Sequence, residues 1–249
     1  FMLPFSVIVL SIGTPYFTRL SAHVATGRPD ALRSDLDAAT RTIGIFMVGA
    51  LAAIVAAILP ISRVFTTGPQ TAATFAWVLA AYLVALLPLS FQFVLQRTFY
   101  AHQDTRTPFV FTLVQAILVA ATAVAAYLLL PVEYLAVGIA LGQSLANIVQ
   151  LVLAVILLRR KIGPLGLGGA VRGVLRFVAA GIPACAAGWA VSLLLARVWG
   201  WTIETVAAAL VGGAVIGLAT LVVYVILLAL LRAPELTTAV RTVRRILGR

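Results

Sequence analysis

Few residues in this chain have the types and spacing that acid–base, metal or nucleophilic chemistry needs. His23 and His102 are its two histidines. They are far apart, and neither stands at a metal-ligand spacing from another candidate. Asp30, Asp35 and Asp37 are interleaved with Arg28, Arg33 and Arg41, the pattern of a solvated, charge-balanced face. Asp104, near His102, is the nearest approach to a group that holds a metal or takes a proton. Cys185 is the single cysteine, which excludes an intrachain disulfide and a cysteine-ligated metal. Its apolar neighbours make it a small buried hydrophobe. The inventory supports no catalytic residue, no metal, no cofactor and no enzyme.

Uncharged amides are better organised. Gln92 and Gln96 are one helical turn apart, and Gln143, Asn147 and Gln150 fall on one helical stripe, with Gln115 between the two groups. What such amides do depends on the solvent around the elements that carry them. The chain has 249 residues, 63% of them hydrophobic and 10% charged, with mean hydropathy +1.12. A soluble domain carries roughly 25% charged residues, so lipid is the expected solvent. The net charge of +11 does not signify nucleic acid, because the basic residues flank apolar runs and form no aromatic-interleaved patch.

A bilayer core needs about 20 apolar residues in helical form. Seven segments meet or approach that length: 1–17, 42–62, 72–96, 109–130, 134–158, 177–196 and 206–231. Beyond the first, none contains Asp, Glu, Lys or Arg. The fold class is therefore all-α integral membrane, with about seven transmembrane helices. At bilayer depth the amides must face protein or a water-filled cavity. Interhelical hydrogen bonding and the polar wall of a transport cavity both satisfy that condition. For the second, the candidate cavity-lining residues are Gln92, Gln96, Gln115, Gln143 and Asn147.

Alternate connections carry sixteen of the 18 basic residues, and the opposite side holds only Arg63 and Arg197, offset by Glu133 and Glu204. The positive-inside rule puts the basic side and the C-terminus in the cytoplasm. Trp199, Trp201, Phe99 and Tyr100 are expected as interfacial anchors. The tail from Pro234 reads as a basic amphipathic helix or a solvated tail. In the helical reading, Arg241, Arg244 and Arg245 are candidates for lipid-headgroup contact. Pro15, Pro60, Pro88 and Pro183 are expected to kink or break helices. Gly138 with Gly142, and Gly213 with Gly217, are expected to mark close helix contacts. Gly163 to Gly169 reads as a flexible linker. The apolar run begins at Phe1 with no basic n-region, as if the chain were entered part-way through a helix of a longer protein.

The stretch Arg97-Thr98-Phe99-Tyr100-Ala101-His102-Gln103-Asp104-Thr105-Arg106-Thr107-Pro108 resembles the "FYAxQDTRTP" signature of the MurJ/MviN lipid II flippases, of the multidrug/oligosaccharidyl-lipid/polysaccharide exporter superfamily. Thr107 is suited to cap the following helix and Pro108 to its first turn. Ile12-Gly13-Thr14 with Arg19-Leu20-Ser21, and Gly138 to Asn147 with Arg159-Arg160, resemble further family segments in order. Pro15 and Thr18 depart from the first of these. The family-motif loop residues are Arg97, Tyr100, Gln103, Asp104, Thr105, Arg106 and Pro108.

The resemblance implies a fourteen-span protein of two six-helix lobes and a C-terminal hairpin, with this chain as spans eight to fourteen. Residues 1–162 would be most of the second lobe. Residues 163–249 would be a linker, the hairpin and a basic cytoplasmic tail. It also implies a part in moving lipid II, the undecaprenyl-pyrophosphate-linked peptidoglycan precursor, across the bacterial cytoplasmic (inner) membrane by alternating access. Implied partners are lipid II, membrane lipids and the missing N-terminal lobe. The family's cavity arginines, which would hold the pyrophosphate, belong to the first lobe and just upstream of Phe1. The charge-free run 206–231 would line a groove for the polyprenyl tail. Export of another polyprenyl-linked glycan or a drug, and a non-transporting membrane scaffold, are the alternatives.

Overall fold

The computed structural model describes residues 2–199 and 204–236, without the side chains of Val198 and Trp199. The Trp199 side chain, Trp201 and the headgroup arginines Arg241, Arg244 and Arg245, expected as anchors and lipid contacts, therefore lie outside what the structure describes. The elements are α1 (Met2–Pro4), a π-helical turn (Phe5–Val9), α2 (Leu10–Ala25), α3 (Pro29–Ala56) and α4 (Ile58–Val64). They continue with α5 (Pro69–Leu83), α6 (Leu86–Ala101), α7 (Arg106–Leu129), α8 (Val132–Ile162), α9 (Gly168–Trp199) and α10 (Val206–Leu230).

Among the described residues, seven helical stretches are long and apolar enough to cross a membrane by length and composition, matching the seven apolar runs. All but the last are longer than those runs. The second begins at Pro29 and the fifth ends at Ile162, so Arg33, Asp35, Asp37, Arg41 and Arg159 to Lys161 stand on helices rather than in loops. Backbone hydrogen bonding propagates past the apolar stretch until a terminating signal appears. For α8 that signal is Gly163 at φ +76°, and Arg33 Nη2 donates to the exposed Ile162 carbonyl at 3.0 Å.

The prolines divide into two kinds. A proline removes its own N–H and crowds the carbonyl four residues earlier. Pro60 follows a break at Ala57, and Pro88 follows one between Leu83 and Leu86. Pro15 and Pro183 instead stand inside helices that continue through them.

The chain resolves into two compact units, Phe1–Met47 with Ala81–Arg172 and Val48–Ala80 with Gly173–Arg249. In the first, α7 packs along α8, α6 against α8, and α2 against α6. Gly138 and Gly142 make the α7–α8 approach possible. A Cβ at Gly142 would stand 2.4 Å from Thr122 Oγ1, and one at Gly138 would stand 2.2 Å from Leu130 Cδ1. Phe99 is fully buried and packs on Phe111 with ring centroids 5.8 Å apart. It is a core residue rather than an interfacial anchor, because α7 covers its ring at the end of α6. In the second unit α4 packs on α10, and Ala56, Ala57 and Ile216 form a core against which Cys185 is half-buried. The close-contact glycines there are Gly188, against Thr220, and Gly49, against Tyr224. Gly217 has no atom within 4 Å of its would-be Cβ, so it is not the packing position its spacing suggested.

The acidic cluster also differs from expectation. Asp30 is solvated, but Asp35 and Asp37 are only 5% and 8% exposed. Asp35 pairs with Arg19, and its Oδ2 lies 2.9 Å from His23 Nε2. Asp37 lies 3.0 Å from Arg41 Nε and accepts from the Ala170 N–H at 2.6 Å. It thereby satisfies an otherwise orphaned donor in the first turn of α9, which starts with no acidic residue of its own. Proximity in sequence to Arg28, Arg33 and Arg41 suggests solvation, whereas the structure gives Asp35 and Asp37 tertiary partners in Arg19, His23 and the Ala170 N–H.

Candidate functional site

Helix α6 carries Gln92 and Gln96 on successive turns, α7 carries Thr112 and Gln115, and α8 carries Gln143, Asn147 and Gln150. Residues three and four apart share a helix face, so each helix presents an amide stripe, and the packing decides whether the stripes meet. Two devices bring them together. The small residues Gly138 and Gly142 draw α8 onto α7. At the Pro88 break the Ala85 N–H bonds the Tyr82 carbonyl, and Ser144 Oγ of α8 donates to the Ala81 carbonyl at 2.6 Å. A carbonyl whose usual helical donor is engaged elsewhere needs a partner at membrane depth, and α8 supplies it.

The result is a cavity of about 340 Å³ lined by Gln92, Gln96, Gln115, Gln143, Asn147, Gln150 and Thr112 on its polar side. Met2, Phe5, Leu89 and Phe93 line the remainder. All five candidate cavity residues of the sequence are among these. Gln150 was on the stripe but outside the candidate set, and Thr112, one turn from Gln115, was missed although its spacing carried the signal. Phe5 and Phe93 had no sequence signal, since their place depends on an edge-to-face contact across helices with centroids 6.0 Å apart.

Three of the six amides have protein partners for their side-chain N–H groups. Gln96 Nε2 donates to Tyr100 Oη at 2.8 Å, Asn147 Nδ2 to the Gln143 carbonyl at 2.8 Å, and Gln150 Nε2 to Thr112 Oγ1 at 3.3 Å. Gln92 does not. It is 4% exposed, and neither its Nε2 nor its Oε1 meets a protein hydrogen-bond partner among the described residues. Leaving a buried polar group unsatisfied costs roughly 1–3 kcal/mol.

The family-motif loop stands beside this cavity and largely outside it. Tyr100 reaches it through Gln96. Arg97 lies over the Phe93 and Phe17 rings, 4.6 and 5.4 Å from their centroids. Gln103 adopts φ +56° in the turn. Asp104 Oδ1 accepts from the Thr107 N–H at 3.0 Å, and Oδ2 accepts from Thr107 Oγ1 at 2.8 Å. Asp104, rather than Thr107, therefore caps α7. Thr105 makes no side-chain cap bond, Arg106 is exposed in the first turn, and Pro108 is buried there. Lys161 Nζ donates to Asp104 Oδ2, and this bond, with the Thr107 N–H, holds the carboxyl down at about 2.

A second polar feature, in the other compact unit, was misread in sequence. Arg63, expected in an outer loop, is 8% exposed on α4. It donates to the Thr66 carbonyl at 2.6 Å and the Glu204 carbonyl at 3.1 Å.

With this geometry in view, residues 1–212 match the family model described as lipid II flippase MurJ. The chain belongs to that family. A solved structure titled "Lipid II flippase MurJ, inward closed conformation" superposes with a TM-score of 0.66 at 18% identity. The match covers 100% of this chain and 46% of that one, so the chain spans less than half the length of that MurJ structure. No curated protein matches the chain. The MurJ-family chain is a multi-pass membrane protein, and its amide cavity is formed by helices that the family match covers.

Proposed function

We propose that the chain is part of a flippase moving lipid II across the bacterial cytoplasmic membrane by alternating access. Membership of the lipid II flippase family supports the class of cargo. The single observation that carries the local assignment is the meeting of amides from α6, α7 and α8 in one cavity. In this reading Gln92, Gln96, Gln115, Gln143 and Asn147 face the headgroup and take part in no bond-breaking step. Residues 1–162 act as most of one transporter lobe. Residues 163–249 act as linker, two-helix hairpin and basic tail, with the apolar α10 beside the polyprenyl chain and Arg241, Arg244 and Arg245 on anionic headgroups. The charge asymmetry supports a cytoplasmic C-terminus.

The test is lipid II exposure on the outer leaflet of cells depleted of their own flippase. Rescue is expected from the full reading frame that contains this chain. Absence of rescue, with the protein present in the membrane, overturns the assignment.

A further inference from the structure

Among the described residues, none that line the α6–α7–α8 cavity carries a charge, so an anionic group would find no countercharge in its wall. A purely apolar chain would leave the amides unsatisfied. The direction of the hydrogen bonds narrows the choice further. Gln96, Asn147 and Gln150 each direct one N–H to a protein acceptor, which leaves each with a carbonyl oxygen to accept and one further N–H to donate. Phosphate oxygens, themselves acceptors, would leave the amide carbonyl oxygens of such a wall without donors, and no charged side chain lines it to offset their charge. Hydroxyls and amide N–H groups are well matched. Gln92 adds a buried donor and a buried acceptor, both without a protein partner among the described residues. A cation would use its Oε1 and leave its Nε2 unsatisfied. Phe5, Phe93, Leu89 and Met2 give the other side of the cavity an apolar surface. A ligand with donor-rich edges and apolar faces fits both sides, and an N-acetylated hexopyranose has that construction.

We infer that the cavity is a neutral-sugar subsite, with Gln92 as its anchor, taking an N-acetylhexosamine unit of the cargo rather than its pyrophosphate. This rests on the reading of the chain as part of a flippase for a lipid-linked glycan. A site built to hydrogen-bond a ligand discriminates strongly through groups that would otherwise be left unpaired. Gln92 is therefore a specificity residue whose removal weakens sugar recognition without weakening the fold.

The experiment measures binding to the purified full protein containing this chain, wild type and Gln92→Met, with Gln92→Leu as a second variant. Three lipids serve as probes: undecaprenyl pyrophosphate, the same lipid carrying one N-acetylglucosamine, and lipid II. The variants are expected to bind both sugar-bearing lipids about tenfold more weakly and the sugar-free lipid unchanged. Their melting temperature is expected to hold or rise, since a buried unsatisfied amide has been removed. Equal weakening for all three lipids, or a lowered melting temperature, makes Gln92 structural and overturns the proposal. Weakening for lipid II alone assigns the cavity to the peptide and overturns it. So does unchanged binding of all three by a protein whose wild type prefers the sugar-bearing lipids. Failure of the wild type to expose lipid II in cells overturns the flippase reading instead, which keeps the two failures apart.

Discussion

Asp104 shows how a motif residue acts at the scale of a single side chain. Its carboxylate caps α7 through Thr107 and bonds Lys161 of α8, so one group ties together the ends of two helices. Its folded-state value of about 2 lies below the ordinary 3.8. The stabilisation is thus fully present above the ordinary value and fades as pH falls through the lowered one. Acidifying the purified protein from about pH 4 to about pH 2 should lower its melting temperature more than that of Asp104→Asn, and parallel profiles would refute the capping role. Glycines give a second contrast. Gly142→Ala meets Thr122, whose hydroxyl is anchored to the Leu118 and Val119 carbonyls at 2.8 and 3.1 Å. Gly138→Ala meets the end of the Leu130 side chain, which is 39% exposed and free to turn. Thermal denaturation should register a cost of about 1–3 kcal/mol for the first and under about 1 kcal/mol for the second.

At the scale of the element, proline matters through the carbonyl it strands. Pro60 and Pro88 coincide with breaks while Pro15 and Pro183 stand within continuous helices, so sequence alone located the prolines without separating the two kinds. The α5–α6 break carries a consequence, because Ser144 supplies the donor for Ala81. Ser144→Ala should destabilise the protein by about 1 kcal/mol and loosen α8 at that level. Hydrogen exchange at the start of α6 would detect the loosening, and unchanged exchange would remove Ser144 from this role. Helix ends were legible only coarsely. Hydropathy marks where lipid begins, but hydrogen bonding continues through Arg33 to Arg41 and through Arg159 to Lys161.

For the whole molecule, the charge pattern makes a prediction that no single helix makes. In a cysteine-free background, Cys185→Ser, an impermeant maleimide should label Gln70→Cys in intact cells. It should label Arg28→Cys only after the membrane is opened. Both positions are exposed and lie at opposite ends of spanning helices, and the reverse pattern would invert the topology. Membership of the lipid II flippase family sets this topology in context, and the chain spans 46% of the length of the solved MurJ structure.

The sequence by itself determined the class of fold, the seven apolar spans and the helix face on which each amide stands. These follow from composition and from periodicity within one helix, which are local properties. Only the tertiary structure decided that Gln92, Gln96, Gln115, Gln143 and Asn147 share one cavity, because three stripes on three helices can face one another, other helices or a partner equally well. It also decided that Asp35 and Asp37 are buried ion-pair centres and that Arg63 bonds the Glu204 carbonyl, far along the chain. In each case the sequence supplies the polar group. The partner that fixes its role comes from a helix whose placement depends on glycine contacts, stranded carbonyls and packing.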